Sequence, residues 1–187
     1  MTDISGFSMG LAALQRERAA GRKLPPVEKW NPPHCGEIDI RIARDGTWYH
    51  QGTPVARHEL VRLFSTILRK EADGFYLVTP AEKMRITVED APFVAVLLAR
   101  EGGGSAQRLI FTTNVGDDVV AGADNRIRVQ TDPDSGEPAP YIHVRKGLEA
   151  KIARSVFYQL VDLAEPGENG TLGVWSDHIC FPLGNPA

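Results

Sequence analysis

The 187-residue chain carries 21 Lys and Arg against 24 Asp and Glu, a formal net charge of −3, and 42% of its residues are apolar. This length suits one large domain or two small ones with a packed core, and the scattered basic residues argue against nucleic acid as a partner. The longest apolar run, residues 93–99, is far short of the roughly 20 residues that a bilayer-spanning helix needs, so no membrane span is predicted.

The N-terminal region predicts a short helix followed by an extended arm. Residues 10–20 place leucines on one helical face, and Gly21 ends the helix. This segment has neither a continuous apolar stretch nor a cleavage site, so a cytoplasmic location is expected. Residues 24–36 contain four prolines, which favour an extended, polyproline-like path. Trp30 is predicted to anchor this arm by burial.

A β-hairpin is predicted next. Residues 38–42 alternate apolar and polar side chains with period two, and Asp45-Gly46 is typical of a tight hairpin turn into residues 47–50. This alternation gives the hairpin one apolar face.

A helix over residues 56–68 is predicted to pack on that face, because its apolar residues recur at helical spacing. Thr53 is the expected N-cap, Pro54 the first helical residue, and residues 69–71 the solvated end. The unit then closes with two predicted strands, residues 75–79 and 84–88, around a turn at 80–83.

The middle of the chain predicts an antiparallel meander, and the last third predicts a second helix between strands. This helix is expected to start near Leu148 and to present Ile152, Val156, Leu160 and neighbouring apolar residues to a core. The predicted strands of this half are residues 92–99, 107–113, 118–121, 126–130, 141–144, 172–175 and 178–181.

An internal repeat follows from these two helix-containing stretches. Residues 55–79 align with residues 152–176 without a gap, which places Leu63 on Leu160. We therefore expect residues 38–86 and 126–183 to superpose as strand-strand-helix-strand-strand. Only the apolar pattern and a few identities coincide, so chance similarity stays an alternative. The predicted organisation is an N-terminal tail at 1–24, a first α+β unit at 25–86 and a larger second unit at 87–187.

Two loops superficially resemble ion- or phosphate-binding motifs. Residues 102–104 are glycines, but the Gly-Lys-Ser or Gly-Lys-Thr of a phosphate-binding loop does not follow. Residues 132–136 resemble a calcium loop, but they are one residue short and are bracketed by strands and prolines. An ordinary hairpin loop explains both better.

The two cysteines carry no clear motif either. His34-Cys35 and His178-x-Cys180 together form a chemically sound zinc set, but neither pair has finger-type spacing. Cys35 with His50 or His34 stays open as a nucleophile pair, because such partners meet only in the fold. We predict reduced packing cysteines, no metal and no cofactor.

Five segments of the sequence carry a resemblance to a known family. They are residues 30–42 (WNPPHCGEIDIRI), 45–48 (DGTW), 77–83 (LVTPAEK), 90–93 (DAPF) and 111–117 (FTTNVGD). These segments resemble the bacterial domain-of-unknown-function 1285 family, and the similarity runs from about residue 25 to 183. The resemblance implies a two-part α+β architecture from a duplicated core with antiparallel sheets, whose second part is superficially similar to pleckstrin-homology domains. It implies no established activity, and only a nucleotide-like ligand between the two parts and a signalling role have been proposed.

Two function classes follow. The first is a non-enzymatic module that binds a small, nucleotide-like anion between its units in signal transduction. The second is a small hydrolase or transferase whose catalytic residues meet only in the fold. A protein partner stays open, and the sequence does not fix the oligomeric state. For the binding module the predicted ligand-binding residues are Trp30, His34, Thr79, Glu82, Lys83, Thr113 and Asn114, with Lys83 as the cation and Trp30 as the stacking aromatic.

Overall fold

The computed structural model describes residues 24–133, 135–167 and 170–184, and the chain divides into two compact units between Asp90 and Ala91. The predicted helix at residues 10–20 therefore lies outside the described residues. Within the described part, neither α-helix is long and apolar enough to cross a membrane. The first unit contains β1 (His34–Ile42), β2 (Trp48–His50), β3 (Thr53–Pro54), α1 (His58–Thr66), β4 (Leu68–Glu71), β5 (Gly74–Val78) and β6 (Glu82–Val88).

The second unit has more strands than the first. It contains β7 (Phe93–Glu101), β8 (Arg108–Thr113), β9 (Asp118–Val120), β10 (Ile127–Thr131), β11 (Pro138–Arg145), β12 (Leu148–Ile152), α2 (Arg154–Asp162), β13 (Glu165–Pro166), β14 (Leu172–Ser176) and β15 (Ile179–Gly184). Short 3-10 turns occur at Val27–Lys29 and Gly104–Ala106.

The first unit is one six-stranded sheet with the strand order β3-β2-β1-β6-β5-β4. Alternation along β1 buries Ile40 and Ile42 while their neighbours stay more exposed. Trp48 lies opposite Ile42 in the β1–β2 register, and its ring stacks on Phe64 of α1 at 6.0 Å between centroids. The predicted hairpin turn is confirmed, because β1 and β2 are antiparallel and Gly46 has a φ of 84°, which favours glycine. The apolar sheet face and α1 thus form the first core.

The second unit combines a six-stranded sheet, a helix and a separate three-stranded sheet. The large sheet has the order β10-β11-β12-β7-β8-β9, and the small one has the order β13-β14-β15. Helix α2 buries Val156 and Leu160. The fully buried Ser176 of β14 accepts a hydrogen bond from the Leu109 amide at 3.0 Å and donates one to the Ala121 carbonyl at 2.7 Å. This hydroxyl ties the small sheet to the large one.

The two large sheets have the same topology. In each, two three-stranded antiparallel meanders join through one parallel pair, β1 with β6 and β12 with β7. The α+β class and two similar units are therefore confirmed, although one parallel pair makes each sheet mixed instead of wholly antiparallel. Residues 34–88 are topologically equivalent to residues 93–152.

The predicted superposition of residues 38–86 on residues 126–183 is wrong, because the two stretches do not contain equivalent strands. The first stretch lies in one sheet, whereas the second is split between the six-stranded and the three-stranded sheet. The physical reason is the position of the helix, which precedes β4 in the first unit but follows β12 in the second. Leu63 and Leu160 are nevertheless both buried, as predicted. Val161, which was predicted on the same apolar face as Leu160, is instead 36% exposed.

Helix boundaries differ from the prediction in the first unit. Thr53 and Pro54 pair with His50 and Tyr49 as an edge strand, where a proline costs no ladder hydrogen bond. The helix begins at His58, and Arg57 supplies no side-chain cap. It ends at Thr66, because residues 68–71 pair with β5 and continue the sheet instead of forming a solvated helix end.

Residues 148–152 form a strand, so the second helix starts later than predicted. Leu148, Ala150 and Ile152 are buried, and the residues between them are partly exposed. That is period-two alternation, which is typical of a strand. Helix α2 starts only at Arg154. Cys35 and Cys180 are exposed free thiols, so the prediction that they pack in a core is also wrong.

Candidate functional site

The proline-rich arm is fixed to the first unit by an arginine. The Arg69 guanidinium donates hydrogen bonds through Nη1 to the carbonyls of Val27 at 2.9 Å and Trp30 at 2.8 Å. Val27 is 4% exposed, whereas the Trp30 side chain is only half-buried. Val27 is therefore the buried anchor of the arm, in place of the predicted Trp30.

Arg69 also belongs to an ion cluster that includes the predicted cation Lys83. Arg69 and Lys83 both pair with the Glu71 carboxylate, and Lys83 Nζ lies 2.9 Å from Glu71 Oε2. Lys83 Nζ also lies 4.7 Å from the centre of the Tyr76 ring. The hydrogen bond from Lys83 and the charge of Arg69 lower the pKa of Glu71. The same hydrogen bond raises the pKa of Lys83, so an anionic ligand would have to compete with Glu71 for this cation.

Three more predicted residues surround the β5–β6 turn. Thr79 is 2% exposed, and its hydroxyl accepts hydrogen bonds from the amides of Ala81 at 3.3 Å and Glu82 at 3.0 Å. It therefore holds the turn. His34 pairs in register with Glu82, and the next pair is Cys35 with Lys83. Since successive side chains alternate between faces, Glu82 and Lys83 point to opposite sides of the sheet.

Thr113 and Asn114 form a turn in the second unit. The Thr113 hydroxyl accepts from the Asp117 amide at 3.0 Å, and the Asn114 side-chain carbonyl accepts from the Val94 amide at 3.0 Å. Both side chains thus fix the β8–β9 turn and its attachment to β7. Of the seven predicted residues, five lie in the first unit and these two in the second, and their joint role in a ligand site stays a prediction.

The second unit contains a pocket that the sequence reading did not identify. It has a volume of about 280 Å³ and lies between the loop 132–137 and the start of α2. Two cations, two carboxylates and two aromatic rings line it. The lining residues are Asp132, Ser135, Glu137, Pro138, Ala139, Pro140, Lys151, Ile152, Arg154, Phe157 and Tyr158.

The electrostatics of this pocket centre on one exposed ion pair. Arg154 Nη2 lies 2.5 Å from Glu137 Oε2, and the two side chains are 66% and 59% exposed. Exposed pairs of this kind contribute only about 0.2–1 kcal/mol, so Arg154 can exchange partners at small cost. Tyr158 is 59% exposed, which leaves its ring accessible at the pocket.

The pocket was not predicted because two of its lining residues, Lys151 and Ile152, belong to strand β12 and were assigned to the helix. With the helix starting at Arg154, residues Arg154, Phe157 and Tyr158 have the i, i+3, i+4 spacing that puts side chains on one helical face. The sequence therefore did contain a signal for this pocket, namely a cation and two aromatic side chains on one helical face next to a polar loop. The sequence of that loop was compared only with a calcium-binding loop. Its central residue, Asp134, lies outside the described residues.

A larger groove of about 590 Å³ runs along the edge strand β10, with β15 as its other wall. Its charged lining residues are Arg126 and Arg128, and no carboxylate lines it among the described residues. The exposed thiol of Cys180 also borders it. The lining is Arg126, Ile127, Arg128, Val129, Gln130, Thr131, Gly136, Pro138, Thr171, Ile179, Cys180, Phe181, Pro182, Leu183 and Gly184.

Two family models match the chain in series. The N-terminal domain of the domain of unknown function DUF1285 matches residues 25–91, and the C-terminal domain of the protein of unknown function DUF1285 matches residues 92–183. No protein with a curated description matches the chain.

Two crystal structures resemble the chain along much of its length. A DUF1285 family protein from Silicibacter pomeroyi DSS-3 is 58% identical, with a TM-score of 0.83 over 88% of this chain and 89% of that one. A DUF1285 family protein from Shewanella baltica OS155 is 28% identical, with a TM-score of 0.52 over 66% of this chain and 90% of that one.

Proposed function

Since the chain belongs to the DUF1285 family, we propose that it is a ligand-binding module that takes a small, nucleotide-like anion in the pocket beside α2. The observation that carries this proposal is the combination of an exchangeable cation, Arg154, with two aromatic rings, Phe157 and Tyr158, around one concavity. A phosphate needs a donor of this kind, and a base needs a flat apolar surface.

The chemistry of each lining residue supports this ligand class. The Arg154 guanidinium can donate two parallel hydrogen bonds to a phosphate, and Lys151 adds a second positive charge. The Tyr158 and Phe157 rings offer faces for a planar base, and Ser135 adds a hydroxyl. A volume of about 280 Å³ lies near the lower end of the range for small-molecule sites, which favours a mononucleotide over a dinucleotide.

Binding requires that the ligand replace Glu137 as the partner of Arg154. Because both side chains are mostly exposed, breaking this pair costs less than about 1 kcal/mol. The phosphate then gains a charge-assisted hydrogen bond, which is stronger than a neutral one. The Glu137 side chain is then released, while its backbone carbonyl still accepts a hydrogen bond from the Asp132 amide at 2.8 Å.

This loop supports the signalling part of the proposal. It contributes Asp132, Ser135 and Glu137 to the pocket and Gly136 to the groove along β10, and Pro138 borders both. A ligand that displaces the Glu137 side chain therefore acts between Gly136 and Pro138, two residues of a second surface, and a shift of either one would be the readout of binding.

Calorimetry with a panel of AMP, ADP, ATP, GMP and GTP tests the proposal. The wild-type protein is expected to bind at least one of them, and Arg154→Ala is expected to weaken that binding at least tenfold, because it removes the phosphate donor. Tyr158→Ala should weaken it by a smaller factor. Lys83→Ala is the matched control, since it removes a cation from the sequence-predicted site.

The outcomes separate the two locations. Loss of binding in Lys83→Ala with retention in Arg154→Ala would place the ligand at the residues predicted from the sequence. Absence of binding by the wild type to every nucleotide in the panel would rule out the nucleotide class for this pocket.

A further inference from the structure

Helix α2 has an outer face that points away from the core of the second unit. Val156 and Leu160 are buried, whereas Tyr158, on the opposite side of the helix, is 59% exposed. Arg154 and Asp162 are also exposed, and each lies four residues from Tyr158, the spacing that puts side chains on one helical face. The outer face of α2 therefore carries one aromatic ring between a cation and a carboxylate.

The two charges lie at the helix ends that the helix dipole disfavours. Arg154 is the first residue of α2 and Asp162 the last, whereas the dipole favours an acid in the first turn and a base in the last. Asp162 has no hydrogen-bond or ion-pair partner among the residues that the structure describes. Arg154 contacts Glu137 through Nη2, and its other nitrogens have no partner in the described ranges. A charge placement that weakens the isolated helix indicates contacts outside it.

A second, antiparallel copy of α2 carries the complementary charges. A two-fold axis beside Tyr158 brings Arg154 of one copy to the level of Asp162 of the other, because both are four positions from Tyr158. The two resulting ion pairs are equivalent by symmetry, as an isologous interface requires. Packed helices approach to about 8–10 Å between axes, a gap that the long arginine side chain can bridge. Since a guanidinium has several N–H donors, Arg154 can keep Glu137 and also bind the second carboxylate.

Exposed apolar side chains also occur at and beside this helix. Val161 of α2 and Val96 of β7 are exposed, and Leu97 of β7 is 62% exposed. The Ala153 amide, directly before α2, donates to the Ala95 carbonyl, directly before Val96, at 3.0 Å. The large apolar side chains that the described part of the second unit exposes thus lie on α2 and on the strand bonded to its start. Clustered apolar surface of this kind is typical of protein interfaces.

We propose that the chain forms a homodimer through the outer faces of two antiparallel α2 helices. The Tyr158 rings meet at the two-fold axis, and two Arg154–Asp162 ion pairs flank them. A helix of nine residues is about 13 Å long, so the contact is small and the dimer is weak and reversible. The dimer competes with a pocket ligand for Arg154 and Tyr158, but self-association does not rest on the proposed nucleotide site.

Charge reversal at the two ends of α2 tests the dimer. Sedimentation velocity over about 10–500 µM protein, a range suited to small interfaces, measures the dissociation constant. Arg154→Asp and Asp162→Arg each place like charges opposite one another, and the double variant restores opposite charges with their order inverted. Arg62→Asp on α1 and Asp124→Arg before β10 are the matched controls, since they change the same charges at other exposed positions. Every run omits nucleotide, so the result is independent of the proposed function.

Each single reversal on α2 is expected to weaken dimerisation at least tenfold, because it turns two attractions into two repulsions. The double variant should return to within about threefold of the wild type, since the two substitutions are coupled across the interface. Both control reversals should dimerise like the wild type. Circular dichroism should show an intact fold in every variant, because the reversed charges on α2 agree with the helix dipole.

Three results would overturn the proposal. A wild type that stays monomeric at every concentration would assign the outer face of α2 to a different partner. A dimer of unchanged affinity in both single reversals would place the interface elsewhere on the chain. A double variant that dimerises as weakly as the single ones would show that Arg154 and Asp162 do not face each other.

Discussion

The two large sheets differ most at one hairpin, although their strand order is the same. Residues 72–73 join β4 to β5 in the first unit, whereas residues 132–137 join the equivalent strands β10 and β11 in the second. The longer loop forms one wall of the pocket beside α2. A shared sheet thus supplies the scaffold, and loop length decides where a ligand site can form.

The helices of the two units also differ, in their position along the chain. α1 enters between the third and fourth strands of its sheet, and α2 follows the sixth strand of its own. Each nevertheless buries a leucine, Leu63 and Leu160, at 2% and 0% exposure. A six-stranded sheet of this order therefore accepts a helix at either point of the chain, as long as the helix covers an apolar face.

The largest expected effect tests whether both helices cover a core equally. Phe64→Ala and Leu160→Ala should each lower the free energy of unfolding by about 2–5 kcal/mol, because each deletes a buried side chain and leaves a cavity. Urea denaturation followed by circular dichroism measures the change. Val161→Ala is the control, since that side chain is 36% exposed on the same helix as Leu160. An unchanged urea midpoint in either core variant would show that its helix does not cover a core.

A smaller effect is expected for the proline-rich arm, which Arg69 attaches to the sheet of the first unit. Arg69→Gln in the first unit should cost about 1–3 kcal/mol, because the carbonyls of Val27 and Trp30 and the Glu71 carboxylate lose a charged donor. The arm should then be cleaved faster by chymotrypsin after Trp30. Arg62→Gln, an exposed arginine on α1, should leave the cleavage rate unchanged. Equal rates in both variants would contradict attachment of the arm through Arg69.

The smallest effect concerns pH and is specific to the first unit. The folded protein lowers the pKa of Glu71 below its ordinary value of 4.5, chiefly through the hydrogen bond from Lys83. A lowered pKa stabilises the fold fully above the ordinary value, and this contribution is lost as pH falls through the folded value. Wild type should therefore exceed Glu71→Gln in stability by about 1 kcal/mol at pH 7, since the side chain is 27% exposed. A gap between the two that stays constant from pH 7 to pH 3 would contradict the role of the carboxylate.

The sequence predicted the fold class well because alternation and helical spacing are local signals. The β1–β2 hairpin follows from the period of residues 38–42 and from Asp45-Gly46, and the buried positions Leu63 and Leu160 follow from helical spacing. These local signals do not show which strands of the two units are equivalent. Equivalence between β1 and β7 depends on non-local pairing, in which β1 meets β6 and β7 meets β12.

The candidate site was harder to predict for a related reason. Thr79, Thr113 and Asn114 are polar turn residues, and in the structure their side chains hold backbone amides of the turns. A sequence does not distinguish such a structural hydrogen bond from one reserved for a ligand. The pocket beside α2 depends on the helix starting at Arg154, and the alternation of residues 148–152 that fixes this start was read as helical.

Hydrogen–deuterium exchange of the full chain tests most directly whether ligand binding belongs to the second unit. The exchange is compared with and without a saturating concentration of the nucleotide from the panel that binds most tightly. Slower exchange is expected in the loop 132–137 and in the first turns of α2, where Arg154 and Tyr158 line the pocket, with no change in residues 71–83. Protection around Trp30 and Lys83 with none beside α2 would contradict this assignment.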